Sequence, residues 1–422
     1  MRLFPETPPP GPFRRSFWRS PLRGPWLTSL LGSLLLPMVV IVAVTGLLSQ
    51  IAYQPQLGAN AIVDPASDLL PAIGWPTSPV WLYSLTQGLH VTVGIVAVPV
   101  LLAKLWSVIP RLFAWPPAAS PAQALERLSI ALLVGSALFE FATGIANVQY
   151  WYAFKFNFVV AHYWGAWVFI AALVLHVAIK LPVIRRAYRD NGVLKPLKAD
   201  LAGTRPEPAP DPDGLVADAP AEPTISRRGL LGIVGGGSLA LAAVTVGQTI
   251  DALRPTALLA PRRQVPPGGG PNAFPVNKTA AAARVSPAMT GPAWRLEVIA
   301  GERRVELSRD QLLAMDLATE ELPIACVEGW STSQSWTGVR LRDLGALVGA
   351  GDTELLVESL QPAGLLRQAT LAPNQAADER ALLALRVNGA DLSMDHGYPA
   401  RIIVPALPGV HNTKWVARLT FA

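Results

Sequence analysis

The only cysteine of this 422-residue chain is the first residue whose chemistry suggests a reactive or metal-binding site. Cys326 ends the apolar run LPIAC and is followed by a glycine-containing loop, a position from which its sulfur can project into a pocket. A lone cysteine excludes an internal disulfide, and no CxxC or Cys/His zinc spacing accompanies it. From the residues alone, Cys326 is a thiolate nucleophile, a soft-metal ligand or a buried inert side chain.

Three of the five histidines lie inside long apolar segments, where ionisable side chains are costly and usually functional. His162 and His176 are separated by fourteen positions, which on a helix is about 21 Å of rise and about 40° short of four turns. Both rings therefore lie along one stripe, near opposite membrane surfaces. This spacing suits two stacked haem groups, with His90 as a candidate for an opposite axial position. Hydrogen bonding between helices and a proton path remain the alternatives.

Five apolar segments must position these histidines. With 51% hydrophobic and 15% charged residues, the chain differs from an ordinary soluble enzyme. Four segments, at about 26–51, 80–109, 128–148 and 159–184, are long and apolar enough to cross a bilayer as helices. A fifth, at about 229–250, is weaker because its six glycines lower helix propensity.

Lysine and arginine are concentrated in alternate connecting segments, whereas residues 52–79 contain neither. By the positive-inside rule the N-terminus is cytoplasmic, and residues 251–422 are extracytoplasmic. We therefore predict a multi-pass membrane protein, surrounded by membrane lipid. The net charge of +6 does not indicate nucleic acid as a partner, because the basic residues flank apolar segments instead of forming one stripe.

The chain is predicted to fold as an all-α membrane bundle followed by a mixed α/β domain. In the last region, the runs WRLEVIA, ELLVES, ARIIVPA and WVARLTF read as strands, and Ser308 is expected to cap a short helix. Residues 199–224 are too polar and proline-rich to bury an apolar core. The predicted regions are a cytoplasmic arm (1–25), a four-helix membrane domain (26–190), a cytoplasmic Pro/Ala-rich linker (191–226), a fifth membrane helix (227–250), an extracytoplasmic linker (251–279) and the α/β domain (280–422).

Four motifs of the last region resemble, in order, the molybdopterin-binding core of the sulfite oxidase family: CVEGWS, WTGVRLRDL, LLALRVNGADLSMDHGYPARIIVP and GVHNTKWV. The similarity is greatest to the bacterial periplasmic branch, which includes protein methionine sulfoxide reductases. The resemblance implies a sulfite-oxidase-type domain in which Cys326 is the protein thiolate on molybdenum. It also implies that the pterin is held by Asn277, His396, Arg401, His411, Asn412 and Lys414. Taken singly, each has an alternative: Arg401 and Lys414 as surface charges, and His396 and Asn412 as turn or loop residues.

The loop after Cys326, VEGWSTSQSW, contains no arginine. The sulfite-oxidising members of the family surround their substrate with arginines. The resemblance therefore disfavours sulfite as the substrate.

Residues 20–190 resemble the membrane cytochrome b subunits of formate dehydrogenases and nickel-iron hydrogenases. The resemblance rests on four helices, a histidine in the second and a His-x13-His pair in the fourth. It implies a haem b held by His90 and His162 on the extracytoplasmic side. In that family a histidine of the first helix is the axial ligand opposite the one at the His176 position, and the first apolar segment here contains no histidine. A second haem at His176 therefore needs an unusual ligand such as Met38, or is absent.

The stretch SRRGLLG, with Arg227 and Arg228, resembles a twin-arginine export signal, although positive-inside residues give the same dipeptide. The resemblance implies a bacterial plasma membrane, whose twin-arginine translocase exports the last domain folded, with its cofactor. We expect the fifth helix to remain as an anchor.

The sequence thus predicts a membrane-bound, molybdenum-dependent oxidoreductase that transfers an oxygen atom to or from a small S- or N-oxide. Its electrons are exchanged through haem with the quinone pool or another redox protein. The alternatives are a sulfite dehydrogenase-like enzyme, and a haem-bearing redox sensor or assembly protein whose last domain is not catalytic.

Overall fold

The structure is a computed structural model that describes residues 5, 7–53, 63–64, 66–71, 73–117, 120–208, 214–262 and 269–422. Parts of the predicted N-terminal arm and of both predicted linkers, at 1–4, 6, 209–213 and 263–268, lie outside the described residues. The chain divides into two compact units. The first contains Met1–Ala43, Val93–Asn147 and Trp151–Ala243; the second contains Val44–Thr92, Val148–Tyr150 and Val244–Ala422.

Five long helices coincide with the predicted apolar segments. They are α1 (Pro25–Tyr53), α2 (Leu82–Leu112), α3 (Pro121–Val148), α4 (Phe158–Asn191) and α5 (Arg227–Ala243). By length and composition, five helical stretches in the described part of the chain are suited to crossing a membrane. His90 lies on α2, and His162 and His176 lie on α4.

The ends of these helices differ from the hydropathy prediction. Helix α3 begins at Pro121 rather than near 128, and α4 ends at Asn191 rather than near 184. Hydropathy detects only the apolar centre of a helix, whereas polar ends continue it to its caps. The Asn157 side chain caps α4 by accepting hydrogen bonds from the backbone N–H groups of Val159 and Val160. Helix α5 ends early, at Ala243, and a short 3₁₀ turn, Val246–Gln248, follows it.

Within the first unit, the segment predicted to be an unpacked linker makes specific buried contacts. The buried Glu207 side chain accepts hydrogen bonds from the backbone N of Trp26 (2.7 Å) and of Leu27 (3.2 Å), in the first turn of α1. Arg227 is also buried, and its Nη2 donates to the carbonyls of Pro21 (3.1 Å) and Arg205 (2.9 Å). The sequence predicted that this segment would not pack, because it cannot bury an apolar core. It packs nevertheless, since one carboxylate can satisfy the free N–H groups at the start of a helix.

Glu207→Ala is expected to destabilise the first unit by about 1–2 kcal/mol, because two helix-end N–H groups lose a charged acceptor. The measurement is thermal unfolding of the full chain in detergent. Glu222→Ala is the matched control, since Glu222 is an exposed carboxylate of the same segment. Equal unfolding temperatures for the two variants would contradict the capping role.

The second unit contains a mixed α/β domain with two five-stranded sheets. One sheet has the order β2-β1-β10-β5-β6, with β1 (Leu296–Ala300) parallel to β10 (Val416–Phe421). Its other strands are β2 (Arg303–Leu307), β5 (Leu355–Ser359) and β6 (Gln368–Leu371). The other sheet is antiparallel, with the path β3-β4-β7-β8 and β9 beside β7. Its strands are β3 (Ala318–Ala325), β4 (Ser331–Arg340), β7 (Leu382–Val387), β8 (Ala390–Asp391) and β9 (Arg401–Ile403).

The short elements of this domain agree with the sequence prediction of mixed α and β structure. The four predicted runs contain β1, β5, β9 and β10. Ser308 and Gln311 form a capping box at the start of the helix at Arg309–Leu313. The remaining helices are Ala280–Ala283, Leu341–Leu347 and Pro373–Ala376.

The ends of α1 and α2 belong to the same compact unit as this domain. Trp75, between the two helices, is buried, and its Nε1 donates to the carbonyl of Ala406 at 2.7 Å. The His411 Nε2 lies 3.1 Å from the carbonyl of Ala52 in α1. The compact unit therefore includes the ends of α1 and α2, which the sequence assigned to a separate membrane domain. Hydrogen bonds between residues so far apart in the chain leave no local pattern in the sequence.

Candidate cofactor site

Cys326 is buried directly after the last residue of β3. Its backbone N donates to the carbonyl of Trp330 (2.9 Å), and the N of Gly329 donates back to the carbonyl of Cys326 (3.0 Å). Gly329 has a φ of +91°, and a Cβ at this position would lie 2.8 Å from the Val91 side chain. The loop therefore requires glycine both for its backbone conformation and for its close approach to α2.

Side chains outside the loop hold its backbone in place. The Gln87 Nε2 donates to the carbonyl of Val327 at 2.5 Å, and the Thr249 Oγ1 donates to the carbonyl of Gly329 at 2.7 Å. Burial, followed by the negative charge of Glu328, raises the pKa of the Cys326 thiol. Such a thiol stays protonated at neutral pH and is a poor nucleophile, whereas a bound metal ion displaces the proton. Of the three interpretations left open by the sequence, the arrangement favours the metal ligand over the nucleophile.

Two buried cations, Arg401 and Lys414, lie on bridged backbone positions near this loop. The Arg401 Nη1 donates to the carbonyl of His396 (3.1 Å) and its Nη2 to that of Asn412 (3.2 Å). The Lys414 Nζ donates to the carbonyls of Lys278 (2.5 Å) and Asp395 (2.9 Å).

Their buried charges are electrostatically unfavourable in the chain alone. Burial lowers the pKa of Arg401 to about 9. Burial, and then the charge of Arg401, lowers the pKa of Lys414 well below its usual range. An anionic group beside the pair would offset both costs.

Four polar atoms next to these cations are buried without a hydrogen-bond partner among the described residues: Arg401 Nε, His411 Nδ1, Asn412 Nδ2 and Thr413 Oγ1. The hydrogen bond from the Gly409 N to the carbonyl of Ala325 (2.7 Å) brings this segment beside the end of β3. Each unsatisfied buried polar atom costs about 1–3 kcal/mol. Their clustering therefore indicates the position of a polar ligand.

Two further predicted residues border the cluster. The ring of His396 stacks on Phe274, with a centroid separation of 3.6 Å, and its Nε2 lies 3.0 Å from the carbonyl of Asn272. Burial, and then the charges of Arg401 and Lys414, lowers the pKa of His396 to about 3, so its imidazole is neutral at neutral pH. The Asn277 Oδ1 accepts from the backbone N of the next residue (2.8 Å), whose carbonyl accepts from Lys414.

The two histidines predicted to bind haem lie in different compact units. The His90 Nδ1 lies 3.5 Å from the Thr45 Oγ1. The His162 Nδ1 lies 3.0 Å from the Thr143 Oγ1 and 3.2 Å from the Glu140 Oε2. No group of three or more His, Cys, Asp or Glu suited to a metal ion occurs in the part of the chain that the structure describes. The haem ligation by His90, His162 and His176 remains a prediction.

A charged cluster beside Cys326 was missed by sequence reasoning. The Arg262 Nε donates to the Glu328 Oε2 at 2.9 Å and lies 2.5 Å from the Tyr150 hydroxyl. The Trp330 Nε1 also donates to the Glu328 Oε2, at 2.7 Å. An arginine therefore reaches the cysteine loop from outside it. Glu328 is more than 60 positions from Arg262 in the sequence, and Tyr150 is more than 100 positions from it. No local sequence pattern therefore connects the three residues.

The cofactor-free protein is expected to lose stability as the pH falls below 6.5. Burial lowers the pKa of His411 to about 4 and that of His396 to about 3. The unfolded chain binds these protons first, so the stabilisation is complete above pH 6.5 and is lost as the pH falls towards the folded-state values. Each histidine contributes up to about 1.4 kcal/mol per pH unit in this window. Urea midpoints of the domain, followed by tryptophan fluorescence, measure the slope, and an unchanged slope in His411→Gln would contradict the assignment.

The region that contains most of this site is similar to known proteins. Residues 283–422 match the family described as oxidoreductase molybdopterin binding domain. Mitochondrial sulfite oxidase of Mus musculus is 31% identical over 130 residues, which are 29% of this chain and 22% of that protein. Nitrate reductase [NAD(P)H] of Hordeum vulgare is 35% identical over 97 residues, which are 21% of this chain and 11% of that protein. The chain thus spans about a fifth of the length of the sulfite oxidase.

Among solved structures, the sulfane dehydrogenase SoxCD from Paracoccus pantotrophus shows 24% identity, covers 31% of this chain and 38% of its own, and has a TM-score of 0.29. The matched family region contains Cys326, His396, Arg401, His411, Asn412 and Lys414, whereas Asn277 precedes it. The C-terminal part of this chain, residues 283–422, is therefore a sulfite oxidase-type molybdopterin-binding domain.

Proposed function

We propose that the protein is a membrane-bound, molybdenum-dependent oxidoreductase that transfers an oxygen atom to or from a small S- or N-oxide outside the cytoplasm. The observation that carries this proposal is the buried Cys326 beside a cluster of buried cations and unpartnered polar atoms. The bound cofactor supplies two-electron oxygen-atom transfer, and the protein supplies ligation, orientation and a pocket that excludes water.

The residues of the site fit an anionic, sulfur-liganded group. Cys326 offers a soft sulfur, which suits molybdenum. Arg401 and Lys414 offer positive charge for the phosphate of the pterin, with the Asn412 Nδ2 and the Thr413 Oγ1 as additional buried donors. The neutral His396 and the His411 Nδ1 border the same region.

A molybdenum assay of the purified full chain tests this proposal, using a host that makes the cofactor. We expect stoichiometric molybdenum, together with viologen-linked activity of membranes towards sulfoxides or N-oxides. Activity towards sulfite instead would favour the sulfite dehydrogenase-like alternative. Trace molybdenum in fully matured protein would contradict the enzyme and favour a sensor or assembly role.

Electrons are proposed to pass singly between this site and a b-type haem on His90 and His162, and then the quinone pool or another redox protein. The carboxylate of Glu140 at the His162 Nδ1 is the kind of contact that orients a ligating imidazole, which supports this assignment. Gln87, which donates to the carbonyl next to Cys326, precedes His90 by almost one turn of α2. This contact joins the cysteine loop to the helix of His90.

Optical spectra test the haem proposal. His90→Ala and His162→Ala are each expected to remove the Soret band, because each deletes an axial ligand. His176→Ala is the matched control, and it keeps the band if one haem is bound. A Soret band that survives both of the other substitutions would contradict the axial assignment.

The export proposal is that the last domain crosses the membrane folded, through the twin-arginine translocase, and that α5 remains as its anchor. A cofactor made in the cytoplasm requires its domain to be loaded before export. Replacing Arg227 and Arg228 by lysine tests this route, with protease accessibility of the last domain in spheroplasts as the measurement. We expect the domain to become inaccessible, and unchanged accessibility would argue against the route.

A further inference from the structure

An arginine, a glutamate and a tyrosine from three distant parts of the chain meet beside Cys326. We call Tyr150, Arg262 and Glu328 the Arg262 cluster. The Arg262 Nε lies 2.9 Å from one carboxylate oxygen of Glu328, and its Nη2 lies 3.4 Å from the other. The two side chains are only 26% and 10% exposed. A carboxylate that accepts from one guanidinium at both of its oxygens largely cancels the positive charge of that arginine.

The tyrosine completes the cluster from the segment after α3. Its ring lies under the Arg262 guanidinium, with 4.4 Å between the ring centroid and Cζ. Tyr150 has a φ of +55°, which is uncommon for a residue with a side chain. The neighbouring Gln149 fixes this segment by donating from Nε2 to the carbonyl of Leu259 at 2.9 Å. Such local backbone strain is frequent at functional sites.

The charges of the cluster are paired with one another, because the Arg262 Nε lies 2.9 Å from a carboxylate oxygen of Glu328. The Tyr150 hydroxyl accepts from the Arg262 Nε and is also hydrogen-bonded to Glu328, so it belongs to the same network as the ion pair. A small molecule that reaches Cys326 therefore meets a paired cation and a neutral hydroxyl, instead of an unpaired arginine.

We propose that the Arg262 cluster determines substrate charge: it admits an uncharged oxygen-atom donor and disfavours an oxyanion, because Glu328 already neutralises Arg262. This inference rests on the proposed function, and it narrows the substrate class to neutral S- or N-oxides. In this assignment Glu328 is a specificity-determining residue, and Tyr150 helps to hold Arg262 beside it.

Sulfate affinity of the molybdenum-loaded full chain tests the proposal, with inorganic sulfate as the probe and perturbation of the Mo(V) EPR signal as the readout. Glu328→Gln keeps the size of the side chain but removes its charge. It is expected to lower the Kd for sulfate by about tenfold, since it exposes one partly buried guanidinium charge. In the same variant, the KM for dimethyl sulfoxide is expected to change much less than the Kd for sulfate. Adding Arg262→Gln to this variant is expected to return the Kd for sulfate to its wild-type value.

Asp378→Asn is the matched control. Asp378 pairs with Arg380 at 2.7 Å in the same domain, and the side chains are 9% and 28% exposed, much like the pair in the cluster. Its sulfate affinity is expected to equal that of the wild type.

An unchanged Kd for sulfate in Glu328→Gln, with molybdenum retained, would overturn the proposal while leaving the proposed function intact. Trace molybdenum in the wild type would instead refute the proposed function. If Glu328→Gln fails to fold or load, Arg262→Gln alone decides. It leaves an unpaired carboxylate and is expected to weaken sulfate binding, so unchanged or tighter binding overturns the proposal.

Discussion

Cys326→Ser is expected to abolish the proposed oxygen-atom transfer while the domain stays folded. The substitution replaces a soft sulfur by a hard hydroxyl of similar size, at a buried position where backbone hydrogen bonds already fix the loop. Removal of a group that merely supports a metal ligand costs about 10–100-fold in affinity or activity, so loss of the ligand itself is expected to cost more than about a hundredfold.

Viologen-linked turnover measures this loss, and X-ray absorption at molybdenum counts the sulfur ligands, of which one should disappear. The thermal unfolding temperature checks that the fold is intact. Ser335→Ala is the control, because Ser335 lies on β4 at a position that the site does not use, and its activity should match that of the wild type. Full activity in Cys326→Ser would show that the thiol is not a ligand.

The sequence located those candidate site residues that lie in a recognisable pattern of consecutive residues. An apolar strand followed by a glycine-containing loop placed Cys326 at the strand end, and the structure has it one residue after β3. The short motifs around His396, Arg401 and Asn412 placed these residues in one region, since consecutive residues of a turn remain neighbours after folding. The apolar centres of α1 to α4 were located for the same reason, because hydropathy is a property of contiguous residues.

The parts that sequence missed depend on contacts between distant residues. Arg262 was read as part of a linker, yet it reaches Glu328, and Tyr150 reaches both. Glu207 was read as part of a segment too polar to pack, yet it caps α1. In each case one charged side chain satisfies a distant polar group, and such a pairing leaves no periodicity in the sequence. Hydropathy also ended α4 too early, because it does not detect polar helix ends.

Some contacts at the site come from the helices rather than from the α/β domain. The carbonyl of Ala52, in α1, engages the His411 Nε2 at 3.1 Å. The amide of Gln87, in α2, engages the carbonyl after Cys326. Both contacts lie within one compact unit. The cysteine loop and the 411–413 segment are therefore each hydrogen-bonded to one of these helices, α2 and α1 respectively.

Arg401→Met is expected to prevent stable retention of the pterin cofactor. Methionine keeps the unbranched aliphatic part of the side chain but removes a buried cation whose Nε has no hydrogen-bond partner within the described chain. A hydrogen bond to a charged group contributes about 1.5–3 kcal/mol. Losing the proposed interaction of Arg401 with the pterin phosphate is therefore expected to weaken cofactor binding by about 10–100-fold.

Molybdenum per chain after gel filtration measures this retention. Arg340→Met is the matched control, because the Arg340 Nε only donates to the carbonyl of Glu379 at the surface (3.1 Å). Arg401→Lys should give an intermediate result, since it keeps the charge but loses the planar donor group. Wild-type molybdenum in Arg401→Met would mean that the buried cation serves the fold alone. Molybdenum that is lost in Arg401→Met, partly lost in Arg401→Lys and retained in Arg340→Met would support the proposed role. It would mean that cofactor binding offsets the unfavourable burial of the Arg401 charge in the cofactor-free chain.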